Sequence, residues 1–248
     1  MRPSHAQMSR DHWEKHAGEW AAWARSPDFD SYWSYSSHFF ELVPGPGART
    51  VEVGCGEGRV SRDLAARGHR VVGVDASPTL IRMAHLAGEK IDYVQCDAGA
   101  LPFRDSSFDL AVFYNSLMDL DDMEEGVREA ARVLTPGGAL CASITHPMQD
   151  AGDFESRSGD APFVIAGSYL GGRREIDVEV ERGGLRMHFK GSAYPLETYF
   201  MVLERAGFVI EALREPATGE PPPPSMDPGA ARWRRIPVFL MWRARKSA

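Results

Sequence analysis

The sequence predicts an α/β fold built on a doubly wound, seven-stranded sheet, mostly parallel with an antiparallel last strand. Two observations lead to it. Over residues 49–146 short apolar strands alternate with stretches of helical periodicity, the pattern of a parallel sheet with crossover helices. At residues 49–83 a strand breaks into Gly54-Cys55-Gly56-Glu57-Gly58, a helix opens, and a second strand ends on an acid, Asp75. That layout puts a nucleoside-containing cofactor at the carboxyl edge of the sheet.

The elements follow in order. Trp13, Ala17, Trp20 and Ala24 recur at helical spacing and mark an N-terminal helix within residues 1–43, followed by Tyr32-Trp33-Ser34-Tyr35. Strands are expected at 49–53, 70–74, 91–95, 108–113 and 138–144, and helices at 57–67, 78–87 and 121–134. A helix starts at Ser77-Pro78, and in the plainer reading of the acid, Asp75 serves only to cap it. Asp121-Asp122 put negative charge where a helix dipole favours it. A helix at 195–206 and strands at 207–213 and 236–242 complete the core, which takes in 44–146 and 195–248. Pro221 to Pro224 must be a helix-free, exposed loop. Residues 147–194 show no long helical pattern. Phe163 to Tyr169 and Ile176 to Val180 look strand-like, and Arg182-Gly183-Gly184-Leu185 reads as a turn into Arg186 to Lys190. A small antiparallel cap over the site mouth is expected there, preceded by a mobile loop from Pro147 to Gly159 that could order on substrate binding. No internal repeat is visible.

Composition narrows the function classes. A chain of 248 residues with 43% hydrophobic content can bury one large core or two modest ones. No run approaches the roughly 18 apolar residues of a membrane span, and no secretory segment is visible, so a cytoplasmic protein without a membrane partner is expected. Three cysteines, Cys55, Cys96 and Cys141, read as reduced thiols without zinc-like spacing, and no metal site is expected. A net charge of −7 argues against a nucleic-acid partner. Arg232, Arg234, Arg235, Arg243, Arg245 and Lys246 do cluster, and they read as a solvated terminal strand.

The glycine loop admits two cofactors. A dinucleotide site wants G-x-G-x-x-G, but here the third glycine comes one position early and Arg59 stands in its place. Glu52 and Glu57 around the loop would repel a pyrophosphate and tolerate a zwitterionic or cationic ligand. Further along stand Gln95-Cys96-Asp97-Ala98, Leu101-Pro102-Phe103, Phe108 to Phe113, and Arg132-Val133-Leu134-Thr135-Pro136-Gly137-Gly138. This succession closely resembles the class I S-adenosylmethionine-dependent methyltransferases, in particular the group acting on small molecules. The resemblance is close over residues 49–146, looser over 195–245 and weakest over 147–194.

The resemblance implies a Rossmann-like core with S-adenosylmethionine as cofactor and S-adenosylhomocysteine as product. Gly54, Cys55 and Gly56 would pass under the methionine end, with Glu52 helping to hold its ammonium group. Asp75 would bind the ribose diol and Ala76 would flank the adenine. Asp97 would accept from the adenine amino group and Ala98 would offer a backbone amide. Asn115 would line the methionine tail. Trp20 and its aromatic neighbours would form a lid that excludes water, with cation–π attraction to the sulfonium of about 0.5–2 kcal/mol; the same rings could instead pack on the sheet.

With a methyl carbon already activated, the protein mainly aligns a nucleophile, and a base of near-neutral pKa helps where that nucleophile carries a proton. His146, directly after the fifth strand, is the first candidate. His188 and Tyr114 come next, with Tyr169 and Tyr194 as pocket walls. Transfer to oxygen, nitrogen or carbon of a planar or apolar small molecule, such as an aromatic natural-product intermediate, is the expectation. An NAD-linked oxidoreductase, an RNA methyltransferase and a non-methylating relative that only binds the cofactor remain alternatives. The chain could be a monomer or a homodimer.

Overall fold

The computed structural model describes residues 8–27, 29–88, 90–217 and 230–247. The expected loop at Pro221 to Pro224 lies outside the described residues.

Seven strands form the central sheet: β1 (Thr50–Val53), β2 (Val71–Asp75), β3 (Asp92–Gln95), β4 (Phe108–Tyr114), β5 (Leu134–Thr145), β10 (Phe208–Arg214) and β11 (Phe239–Lys246). Their order is β10-β11-β5-β4-β1-β2-β3. β1 to β5 pair in parallel, whereas β11 runs antiparallel to both β5 and β10. The strand order reverses between β1 and β4, which is where open sheets of this kind leave a crevice for ligands.

Burial on both faces explains the apolar strands. In β4, Ala111 and Phe113 face one core cluster while Leu110, Val112 and Tyr114 face the other. The first cluster packs under α6 (Met123–Val133) and α7 (Leu196–Arg205), with Trp242 fully buried in it. The second lies under α3 (Tyr32–Leu42), α4 (Arg59–Ala66) and α5 (Pro78–Leu86). Each fully buried Leu, Ile or Phe contributes about 1.5–3 kcal/mol relative to exposure. The helices start where expected, but Ser77 rather than Asp75 caps α5: Ser77 Oγ accepts from Leu80 N–H at 3.1 Å, and Asp122 Oδ1 accepts from Glu125 N–H at 2.9 Å at the start of α6.

Several bounds differ from expectation. The N-terminal helix is two, α1 (Met8–Lys15) and α2 (Ala17–Ala24), meeting at His16. The break is slight, because the His16 N–H still reaches His12 O at 3.0 Å. β5 begins at Leu134, since Thr135-Pro136-Gly137-Gly138 bulges within the strand: Phe108 pairs with Leu134 but Leu110 with Ala139. β11 runs to Lys246, because Arg243 and Arg245 bond Glu211 on β10 and Lys246 Nζ reaches Leu134 O. Of the basic cluster, Arg243, Arg245 and Lys246 are therefore tied into the sheet rather than simply solvated.

Residues 147–194 contain two small antiparallel pairs. β8 (Arg174–Arg182) and β9 (Leu185–Ala193) form a hairpin whose turn, Gly183-Gly184, has φ of +53° and +81°. Only glycine takes both values without strain. β7 (Phe163–Ile165) pairs with β6 (Gly152–Phe154), which lies inside the stretch expected as a loop. The Phe154 ring is held between Phe163 and Trp233, a partner too distant in sequence to foresee. Among the described residues no helix is long and apolar enough to cross a membrane.

Candidate active site

A cavity of about 650 Å³ opens at the carboxyl ends of the strands, astride the β1/β4 switch point, well within the size range of small-ligand sites. Its floor is the glycine loop. Gly54, Gly56 and Gly58 all have positive φ, so the chain turns sharply after β1 and enters α4. A Cβ on Gly54 would sit 2.4 Å from the Ser116 Cβ, and one on Gly56 would sit 3.1 Å from Trp20 Nε1. The glycines thus let backbone and ligand approach where side chains would fill the space. Cys55, buried beside them, also lines the cavity.

The acids around the loop divide into two kinds. Glu57, 2% exposed, is bridged by Arg62 at 2.9 Å and Arg25 at 3.0 Å, so its charge is neutralised inside the protein. That leaves Glu52 as the loop acid that could repel a pyrophosphate, and only in its ionised form. Among the described residues Glu52 has no such direct ion pair; it accepts from Ser61 Oγ, and burial pushes its pKa up to about 8. Asp75 accepts Gly56 N–H on one oxygen and Ser77 N–H on the other, each at 2.8 Å. Each oxygen keeps a lone pair for a ligand hydroxyl. Burial raises its pKa, with the two amides opposing.

Asp97 uses Oδ1 for Gly99 N–H at 2.8 Å, and it lines the cavity with Ala76 and Ala98. Asn115 has φ of +50°, a left-handed conformation that non-glycine residues seldom take. Ser143 holds it, accepting Asn115 N–H at 2.8 Å through its carbonyl and donating Oγ–H to Asn115 Oδ1 at 2.7 Å. Backbone strain of this kind concentrates at functional sites.

The roof comes from α1, α2 and the hairpin. Trp13 and Trp20 lie on the cavity wall with ring centroids 5.6 Å apart, and Phe189 of β9 is 6.4 Å from Trp20. Contacts that the sequence did not signal tie this cover down on both sides of the crevice. Glu14 accepts from Thr79 N–H at 3.0 Å, Thr79 Oγ1 at 2.6 Å and Ser77 Oγ at 2.5 Å, at the start of α5. Ser9 N–H donates to Asp121 Oδ1 at 3.1 Å, on the β4 side. Arg59, which replaces the dinucleotide glycine, bonds Ala24 O at 2.6 Å and Asp30 at 3.1 Å, and stacks 4.0 Å over Tyr32.

Of the three candidate bases, Tyr114 lines the cavity but is packed against Tyr32 and Phe39, and burial raises its pKa. His146 and His188 are not among the lining residues. His146 is 5% exposed, with both ring nitrogens engaged: Nδ1 accepts Met148 N–H at 3.0 Å, so Nε2 carries the proton and donates to Glu215 at 2.9 Å. His188 Nε2 donates to Asp177 at 2.6 Å. Tyr169 accepts Leu196 N–H at 2.9 Å and Tyr194 packs 5.6 Å from Tyr199; neither lines the cavity.

Two carboxyls that the sequence did not single out do line it. Asp150 sits in a short helical turn after β5, where Thr145 Oγ1 donates to it at 2.9 Å and burial pushes its pKa up to about 6. Asp119 lies after β4; burial, helped by Asp150 and Asp75, lifts its pKa well above the usual carboxylate range. Asp150 stood in a stretch read as a loop, and Asp119 in a short turn without periodicity.

Against known proteins, residues 51–142 match a methyltransferase domain family. A demethylmenaquinone methyltransferase of Renibacterium salmoninarum is 35% identical over 103 residues, covering 41% of this chain and 44% of that protein. A ubiquinone biosynthesis O-methyltransferase of Ralstonia nicotianae is 37% identical over 109 residues, covering 42% and 46%. The aligned stretch thus spans less than half the length of these curated relatives. A crystal structure of an S-adenosylmethionine-dependent methyltransferase from Mesorhizobium loti superposes with a TM-score of 0.67 at 26% identity, covering 89% of this chain and all of that one. The residues present fit that cofactor: a glycine cradle with no room for side chains, carboxylates with spare lone pairs at two strand ends, and an aromatic roof. The sheet order, the domain match over residues 51–142 and the glycine-loop site together support a class I S-adenosylmethionine-dependent methyltransferase.

Proposed function

We propose that this chain transfers a methyl group from S-adenosylmethionine to a small-molecule acceptor bearing an ionisable hydroxyl or acidic carbon. The observation that carries the reading is one continuous cavity, with the glycine loop, Asp75 and Asp97 at its floor and the Asp119–Asp150 carboxyls, α1–α2 and the hairpin around the rest. S-adenosylmethionine supplies a methyl carbon already activated by its sulfonium.

The chain's own residues do the remainder. Glu52 meets the ammonium group, Asp75 the ribose hydroxyls, and Asp97 with the Ala98 amide the adenine edge. Trp13 and Trp20 exclude water, which strengthens every polar contact beneath them. Asp150, titrating near pH 6, is suited to take a proton from the acceptor at neutral pH. Asp119, kept protonated, can donate a hydrogen bond to an acceptor oxygen. His146 is a positioning residue: its ring accepts Met148 N–H and its carbonyl accepts Asp150 N–H at 3.2 Å, which holds the turn bearing Asp150.

The names of the relatives from Renibacterium salmoninarum and Ralstonia nicotianae point to quinone-type acceptors, and a planar ring with a hydroxyl suits the aromatic roof. The hairpin lies outside the matched domain, and its Ile176, Val178 and Phe189 line the cavity where they would meet the acceptor. Calorimetric titration with S-adenosylmethionine, S-adenosylhomocysteine and NAD tests the cofactor. Micromolar binding of the two adenosyl compounds, lost in Asp75→Ala, is expected. Binding of NAD in their place would overturn the assignment.

A further inference from the structure

Three histidines meet where the cover joins the cap. His12 is on α1, His16 stands between α1 and α2, and His188 is on β9, 176 positions from His12. Ring centroids are 4.6 Å apart for His12–His16, 4.8 Å for His12–His188 and 5.2 Å for His16–His188. One nitrogen of each ring lies within 4.8 Å of one from each of the others.

The outer contacts of the rings decide what the cluster offers. His12 Nε2 lies 2.8 Å from the His188 carbonyl, His16 Nδ1 2.7 Å from Glu19 Oε2, and His188 Nε2 2.6 Å from Asp177 Oδ1. A carbonyl or carboxylate oxygen only accepts, so each ring must donate its proton there. The tautomers of the neutral rings are thereby set, leaving lone pairs on His12 Nδ1, His16 Nε2 and His188 Nδ1. Among the described residues no hydrogen bond links the three rings. Histidines that ligate metals show this outer arrangement, with the second ring nitrogen held by a carboxylate or a carbonyl that orients the ring and raises its basicity.

We propose that His12, His16 and His188 form a binding site for a divalent transition-metal ion of the zinc class. Imidazole nitrogen suits zinc, copper, nickel and cobalt and does not suit magnesium or calcium. Three histidines leave a fourth tetrahedral position for water. At a metal–nitrogen distance of about 2.1 Å, tetrahedral geometry sets the nitrogens about 3.4 Å apart, so the rings draw in by roughly 1.5 Å at most on loading. Lys190 is the opposing charge nearby, and it is engaged by Glu175 at 3.1 Å and Asp177 at 4.0 Å.

The consequence is mechanical. Trp13 follows His12 and Phe189 follows His188, and both line the cavity. A bound ion fastens the N-terminal cover to the hairpin across the roof of the site. The i,i+4 pair His12–His16 carries the H-x-x-x-H spacing of many zinc sites, but its third member is visible only in the fold.

The test uses tag-free full-length protein stripped with EDTA, then titrated with Zn²⁺ alone and with Co²⁺ as an optical probe. One equivalent should bind, with the intense visible bands of tetrahedral cobalt, and Zn²⁺ should raise the thermal midpoint. His16→Gln should weaken binding at least 100-fold; among the described residues the His16 ring hydrogen-bonds only to Glu19. Asp177→Asn should weaken it about 10–100-fold while every ligand is retained. Circular dichroism and the metal-free midpoint show whether each variant folds. Absence of stoichiometric binding, or binding unaltered in both folded variants, overturns the site. Neither result depends on cofactor binding or methyl transfer, so the functional reading stands or falls separately.

Discussion

At the scale of single residues, protonation is set by burial more than by neighbouring charge. Asp150 and Glu52 are both carboxyls at strand ends, yet burial lifts one to about 6 and the other to about 8. Asp150 is the better base for an acceptor proton at neutral pH, because it is mostly ionised there and still basic enough to accept. Asp150→Asn should lower turnover by about 10²–10⁴ while leaving S-adenosylhomocysteine affinity within twofold. His146→Ala acts only through the turn, so it should cost less, with the acid limb of the pH–rate profile kept. Steady-state rates against pH on both variants separate the two; an intact rate in Asp150→Asn would leave alignment alone as the source of catalysis. None of this was visible in the sequence, where His146 stood out for following a strand and Asp150 sat among polar loop residues.

At the scale of elements, regular periodicity was readable and irregular pairing was not. The parallel strands from β1 to β4 and the helices α4, α5 and α6 lie within a few residues of their expected bounds, because apolar runs, Ser77-Pro78 and Asp122 encode them locally. β6 was missed because its partner β7 and the Trp233 ring supply its stability. The charged end of β11 was missed because Arg243 and Arg245 are held by distant partners: the paired strands β5 and β10, Glu211, and the Leu42 and Gly137 carbonyls. The attachment of α1 is of the same kind. Glu14 adds a negative charge at the N-terminus of α5, where the helix dipole makes it worth about 0.3–1 kcal/mol. Burial disfavours ionised Glu14, but its bonds to Ser77 and Thr79 outweigh that and hold its pKa below the ordinary value. Glu14→Ala should lower the thermal midpoint by about 1–4 °C. It should weaken cofactor binding more than that loss accounts for, since the cover is then held on one side only. Equal effects with and without cofactor would mean that α1 is not part of the site.

At the scale of the whole molecule, the cavity gathers carboxyls whose pKa values are all raised: Glu52, Asp75, Asp119, Asp121 and Asp150. A raised carboxyl binds its proton more tightly in the folded state. Its contribution to stability is therefore complete at low pH and is lost as pH rises through the folded value. The buried histidines His12, His69 and His146 work the other way below their ordinary value of 6.5, which masks the carboxyls there. Between pH 6.5 and 8 the histidines no longer oppose the carboxyls, and Glu52 contributes to the slope. The ligand-free protein should lose stability across that window, and Glu52→Gln should flatten the loss; chemical denaturation at three pH values in the window measures it. A cationic ligand beside Glu52 should reverse the trend by favouring the ionised form.

The sequence by itself determined the sheet and the glycine-loop floor of the cavity. Strand alternation, the glycines at 54, 56 and 58, and the acids at 75 and 97 are local facts, since each depends on backbone geometry within a few residues. Tertiary structure alone decided which groups share the cavity with them. Asp119 and Asp150, the two-sided anchoring of α1 by Ser9 and Glu14, and the meeting of His12, His16 and His188 all join segments far apart in the chain. Their proximity depends on how helices and hairpin pack over the sheet, a collective property of buried surface that no short pattern of residues records.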